Sequence, residues 1–183
     1  IYRDFPTRYR DRFGNHVRVE FEPVSVLRDG ASEAWHSESR SNGVRVYAGS
    51  SNRLLEPGVH EYQLRFRTNR QLRHFAEHDE LYFNAVGTGW VFPIDQAVVT
   101  VSFPFDLPTG SVEVGSYTGG YGAQGAYAKG EIVAPRQVRF ETTRELSPRE
   151  VLTIVVTWAK GLLEEPDGSV AFRLLLAATL GIP

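Results

Sequence analysis

Tyr62-Gln63-Leu64-Arg65-Phe66-Arg67 places an apolar side chain at every second position and a polar one between. Successive side chains of a strand point to opposite faces, so this stretch reads as a strand with one dry face and one cationic face. Val17, Val19 and Phe21 alternate with Arg18 and Glu20 in the same way, and Val44 and Val46 alternate with Arg45 and Tyr47. The same period predicts strands near 80–86, 96–105, 111–117, 131–142 and 150–158. Turn signals separate them: Arg28-Asp29-Gly30, Ser41-Asn42-Gly43, Glu56-Pro57-Gly58, Leu107-Pro108-Thr109-Gly110 and Pro166-Asp167-Gly168. Short strands at this spacing, without long helical stretches between them, predict an all-β fold. The expected architecture is an antiparallel β-sandwich, Ig-like or jelly-roll-like.

Leu55-Glu56-Pro57-Gly58 followed by Tyr62 reads as a sandwich corner, with the Tyr62 hydroxyl expected to bond back to the turn. Leu146-Ser147-Pro148 before Val151–Trp158 reads as a second strand entry. Two segments suit short helices. Asn69–His78 has room for one or two turns. Leu174-Leu175-Leu176-Ala177-Ala178-Thr179-Leu180-Gly181-Ile182 is almost wholly apolar. A bilayer span needs about 20 such residues. This run therefore reads as a buried terminal helix or strand, or as the start of a membrane helix.

The whole-chain numbers agree with a folded domain. At 183 residues, 42% apolar and 23% charged, with net charge −2, the chain can bury a core and is a poor match to disordered sequence. No Cys is present, which excludes disulfides, thiol nucleophiles and Cys-ligated metal. No Met is present either, so a processed or trimmed chain is expected. Residues 1–75 hold 13 Arg against 9 acids, and residues 76–135 hold one Lys against 7 acids. Stretches of opposite sign in one chain neutralise each other more readily than they form a polyanion-binding face, so no nucleic-acid partner is expected.

Three motifs carry chemistry on paper. Gly120-Tyr121-Gly122-Ala123-Gln124-Gly125 spells G-x-G-x-x-G, but its neighbours offer no strand–helix unit to hold a pyrophosphate. It reads instead as a Gly/Tyr-rich hairpin excursion. His74-Phe75-Ala76-Glu77-His78 spells the inverted zinc-peptidase pattern. On a helix, His74 and His78 would share a face and one metal, Glu77 would activate its water, and Asp79, Glu80 or Glu113 would supply a third ligand. The plainer reading is a polar connection with exposed imidazoles. Asp79 and Glu80, adjacent on a strand, point to opposite faces and cannot flank one scissile bond. Aromatic and polar groups at Tyr82, Asn84, Trp90, Tyr117 and Tyr121 are the candidate binding residues, set against the ordinary role of such residues in a core. No cofactor is expected.

Four blocks then resemble one family. Ile1-Tyr2-Arg3-Asp4-Phe5-Pro6, Val26-Leu27-Arg28-Asp29-Gly30, Leu55-Glu56-Pro57-Gly58 with Tyr62, and His78-Asp79-Glu80-Leu81-Tyr82-Phe83-Asn84 through Gly87-Thr88-Gly89-Trp90-Val91-Phe92-Pro93-Ile94 occur in order. They are similar to the YciQ-like predicted membrane proteins of bacteria (domain of unknown function 2207), with Phe83 where Trp is usual. The resemblance implies a signal peptide, an exported β domain and membrane helices, and hence an extracytoplasmic, membrane-anchored location. It carries no catalytic residues. The expected layout is one sandwich over 1–168 and an apolar segment over 169–183 leading into a membrane helix. The resemblance also implies a domain that begins upstream of Ile1, so an upstream segment or a partner's strand is expected to complete a sheet edge. The expectation for function is a non-enzymatic interaction or ligand-binding module. A metal-dependent hydrolase using His74, Glu77 and His78 is the competing class, and a purely structural ectodomain the third.

Overall fold

The computed structural model describes residues 1–10, 16–120, 122–164 and 173–182. Every regular element among them is a strand, and all the strand pairs are antiparallel. The strands are β1 (Tyr2–Pro6), β2 (Arg8–Arg10), β3 (His16–Arg18), β4 (Phe21–Arg28), β5 (Ala31–Ser32), β6 (Trp35–Arg40), β7 (Gly43–Ala48) and β8 (His60–Asn69), then β9 (Leu72–His74), β10 (His78–Val86), β11 (Val98–Ser102), β12 (Glu113–Gly119), β13 (Ala128–Ala134), β14 (Gln137–Thr142), β15 (Val151–Ala159) and β16 (Arg173–Ile182). They form two compact units, Ile1–Arg70 with Gly168–Pro183, and Gln71–Asp167.

In the first unit, β1, β7 and β6 form one sheet and β16, β8, β4 and β5 another, each in that spatial order, with β2 and β3 as a separate ribbon. Phe5, Phe21 and Phe66, one from each of β1, β4 and β8, pack as a ring cluster with centroids 4.2–5.1 Å apart. The alternation over 62–67 carries through to the fold: Tyr62 and Phe66 are buried, Leu64 is half-buried, and Arg65 and Arg67 are exposed.

The corner before β8 is closed by a different side chain from the one expected. Tyr62 is buried, but the bond back to the turn comes from His60, whose Nε2 lies 2.9 Å from the Glu56 carbonyl. Its Nδ1 is 2.8 Å from Asp29 Oδ2, and Asp29 Oδ1 accepts the Glu61 amide at 2.9 Å. With an acceptor at each ring nitrogen, the Glu56 carbonyl first and the Asp29 carboxylate second, the imidazole is held above its usual pKa. His60 therefore ties the Glu56-Pro57-Gly58 turn to the β4–β5 hairpin.

Of the two segments that suit short helices, Asn69–His78 forms a strand and a turn, and the terminal apolar run takes its strand alternative. Residues 173–182 pair with β8 along its whole length, from Arg173↔Asn69 to Ile182↔His60. A continuous apolar run carries no period to separate a buried strand from a helix, and here an available ladder partner decides it. Among the described residues there is no C-terminal helix, and no helix long and apolar enough to cross a membrane. In Asn69–His78 the chain leaves β8, makes β9 and turns back at Phe75 into β10, with the Phe75 amide donating to the His78 carbonyl at 2.9 Å.

The second unit is a sandwich of a four-stranded sheet, β12-β15-β10-β9, and a three-stranded one, β11-β14-β13. Strand β15 shows why the sequence folds this way. Leu152, Ile154, Val156 and Trp158 are all at most 1% exposed and face Val138 and Phe140 of β14, themselves fully buried. Trp158 reaches Phe103 and Phe105 beyond β11, with ring centroids at 5.3 and 5.8 Å. A bulge between Asn84 and Val86 restores Val86 to the inner face opposite Leu152. Gly130 of β13 lets the sheets approach: a Cβ there would lie 2.4 Å from Val114 Cγ1 and 2.6 Å from the Phe140 ring.

Candidate functional site

On the four-stranded sheet, the strand period sends Asp79, Leu81 and Phe83 inward and Glu80, Tyr82 and Asn84 outward. Asp79 is fully buried, whereas Glu80 meets Arg73 at 3.1 Å on the other face. The ladder then builds rows across the outer face. Asn84 pairs with Thr153, and Thr153 with Tyr117. One step along, Tyr82 pairs with Val155, and Val155 with Gly115. Strands are about 4.8 Å apart, and residues two apart on a strand are separated by about 6.8 Å, so Tyr82 and Tyr117 sit roughly 12 Å apart diagonally. Gly115 leaves its place in the row without a side chain.

Local bonds fix this face. Thr153 Oγ1 donates to Asn84 Oδ1 at 2.6 Å, which orients the amide and leaves its NH2 free to point outward. The Arg73 guanidinium lies over the Tyr82 ring, 4.1 Å from its centroid, and covers one face of it. Tyr117 is 40% exposed at the opposite side, on edge strand β12. Two aromatic rings, an amide, a cation and the carboxylates of Glu80 and Glu113 thus occupy one surface. Such a surface can offer stacking and hydrogen bonds.

Of the candidate binding residues, the register brings together Tyr82, Asn84 and Tyr117. Trp90 stands apart, half-buried in the loop after β10, where its carbonyl accepts the Arg149 amide at 2.8 Å. Tyr121 lies outside the described residues. The Gly-rich stretch around it joins β12 to β13, with Thr118 and Gly125 exchanging two backbone bonds of 2.8 and 2.9 Å, and no helix follows it. Thr153, which organises the face, was missed in the sequence, because a Thr among Val and Ile residues gives no sign of its neighbours on two other strands.

The zinc-peptidase pattern is carried by a hairpin, not a helix. His74 pairs with Asp79 across β9 and β10, and His78 stacks on Phe75 with ring centroids 4.5 Å apart. Neighbouring positions of a strand alternate, so His74 and His78 are directed to opposite faces, and the two-imidazole ligand set is not assembled. Among the described residues no group of three or more His, Asp or Glu side chains is placed to hold a metal.

His74 instead belongs to a cluster around the buried Asp79 carboxylate. Its Nδ1–H donates to Asp79 Oδ1 at 2.8 Å, and Lys160 Nζ donates to the same oxygen at 2.9 Å. Burial works against the ionised carboxyl, but the Lys160 ammonium and the His74 imidazole outweigh it and hold Asp79 below the usual carboxylate range. Asp79 also stands directly opposite Trp158 in the ladder. Asp79 Oδ2 and Trp158 Nε1 are buried without a partner among the described residues.

Comparison with known proteins gives two matches. The model of the N-terminal domain of the predicted membrane protein family DUF2207 matches residues 1–158. The uncharacterized protein YciQ of Escherichia coli (strain K12) is 25% identical over 183 residues, covering 98% of this chain. The chain spans 28% of the length of that relative. No solved structure matches the chain.

Proposed function

The chain belongs to the DUF2207 predicted membrane protein family, as its N-terminal domain, and from that premise we propose that it is an extracytoplasmic, membrane-tethered β-sandwich module that binds a protein partner. The observation that carries this reading is the outer face of β12-β15-β10-β9, where Tyr82, Asn84 and Tyr117 converge around Thr153. Tyr is among the residues that dominate binding energy at interfaces, because its ring is large, rigid and tipped with a hydroxyl. Similarity to predicted membrane proteins supports the membrane association, and the extracytoplasmic side is part of the proposal. Catalysis is not part of the proposal: among the described residues the face has no nucleophile–base pair, and the hydrolase reading depended on a helix where the chain forms a hairpin.

The test uses full-length protein recovered from membranes with whatever remains bound to it. Tyr117→Arg is expected to reduce recovery of the bound partner about tenfold or more, the loss that ~1.4 kcal/mol produces. Glu131→Arg, on exposed β13, is expected to leave recovery unchanged. Equal recovery from both variants would remove the face as the binding surface.

A further inference from the structure

Gly87-Thr88-Gly89-Trp90-Val91-Phe92-Pro93-Ile94, between β10 and β11, displays its apolar residues consecutively. Val91 is 56% and Phe92 69% exposed, Pro93 is exposed, and Trp90 is half-buried behind them. Single exposed apolar residues need no explanation, but a contiguous exposed run on one loop marks a contact surface.

The protrusion is anchored. Ile94 and Leu146 exchange amide–carbonyl bonds of 2.9 Å in both directions, and Leu146 is fully buried. The Arg149 amide holds the Trp90 carbonyl at 2.8 Å. Trp90 to Ile94 is therefore pinned at both ends, and little conformational freedom remains to be lost on docking.

The charges around the loop favour one kind of surface. Arg149 is exposed beside Trp90 and makes no ion pair among the described residues. Arg144 is committed to Glu150 through two bonds of 2.8 and 2.9 Å. Glu145 and Asp95 are exposed on the far side of the Ile94–Leu146 bridge. An apolar tip with an indole behind it and an exposed guanidinium, without an ion pair among the described residues, matches the boundary of a bilayer. There acyl chains accept Phe and Val, Trp favours the headgroup level, and phosphates attract Arg.

We propose that the Trp90-Val91-Phe92-Pro93 loop inserts into the headgroup–acyl boundary of the membrane that carries the protein, with Arg149 meeting lipid phosphate. The inference shares the membrane placement of the proposed function but does not depend on the Tyr82–Tyr117 face. The two therefore fail separately.

The chain contains no Cys, so Phe92→Cys or Val91→Cys gives a single attachment point within it. Any cysteine elsewhere in the full-length protein is replaced by serine. The protein is labelled with a nitroxide and reconstituted into vesicles of phosphatidylethanolamine and phosphatidylglycerol, with Glu131→Cys as the aqueous reference. Collisions with apolar oxygen relative to a water-soluble nickel chelate are expected to be several-fold higher at 91 and 92 than at 131. A ratio equal to that at 131 would overturn the proposal and leave the loop in water. An immobilised label reached by neither collider would also overturn it, because protein would then cover the loop.

Discussion

Trp158→Ala is expected to lower the stability of the 71–167 unit by about 3–5 kcal/mol, the range for deleting a large aromatic from a packed core. The side chain is 1% exposed and bridges the two sheets, leaving β15 to meet Phe103 edge-on and Phe105 at a tilt. Removing it takes contacts from both layers at once, and the β-ladder on either side restrains the collapse that would refill the space. Trp158→Phe keeps most of the apolar contact and gives up an indole N–H that has no partner among the described residues, so a cost below ~1.5 kcal/mol is expected. Urea midpoints of the two variants check this. A Trp158→Ala loss under about 1 kcal/mol would mean that the two sheets do not share this core.

Lys160→Met is expected to destabilise the same unit by about 2–3 kcal/mol near neutral pH. That is slightly below the usual cost of stripping a partner from a buried ion, because His74 still donates to Asp79. The pH dependence distinguishes charge from packing. Asp79 is held below the usual carboxylate range, so the stabilisation from its ionised form is present above its unfolded pKa of about 3.9 and fades as pH falls through the folded value. Once Asp79 is protonated, the ammonium has no charge to neutralise. The difference between wild type and Lys160→Met is therefore expected to narrow once pH falls below about 4 and to close only after it has passed the lower folded value. A difference that stays constant from neutral to acid in denaturation experiments would contradict the pairing of Lys160 with ionised Asp79 as its source.

How far the sequence reveals this protein depends on whether a residue's partners are local. Tyr62, Leu64 and Phe66 declare β8 because one face is dry and the period is two. Strand β6, Trp35-His36-Ser37-Glu38-Ser39-Arg40, declares nothing: all six residues are exposed on an edge, so no core selects an apolar alternation. The run at 174–182 fails for the opposite reason, being apolar at nearly every position and therefore without a period. His74 and His78 illustrate a spacing that suits two structures. A helix would bring the rings to one face, but the hairpin opposes His74 to Asp79 instead.

The same division applies to the candidate site. The i, i+2 spacing of Tyr82 and Asn84 shows that they share a face. The arrival of Tyr117 beside them depends on a register running through β15, 30 to 40 residues further along the chain than Tyr117. No local pattern contains that register. The bulge near Asn84, which decides the facing of Val86, is likewise set by β15.

The most direct test of the membrane-tethered interaction module is labelling of Tyr117→Cys and Glu131→Cys, separately, in full-length protein in intact bacterial spheroplasts with a maleimide that cannot cross the membrane. The expected result is rapid labelling at 131 and protection at 117, with the protection lost once bound proteins are stripped from the membranes. Labelling at neither position until the membrane is permeabilised would put the domain on the cytoplasmic side. Equal labelling at both positions in intact spheroplasts would leave the Tyr82–Tyr117 face unoccupied and contradict the interaction it is assigned.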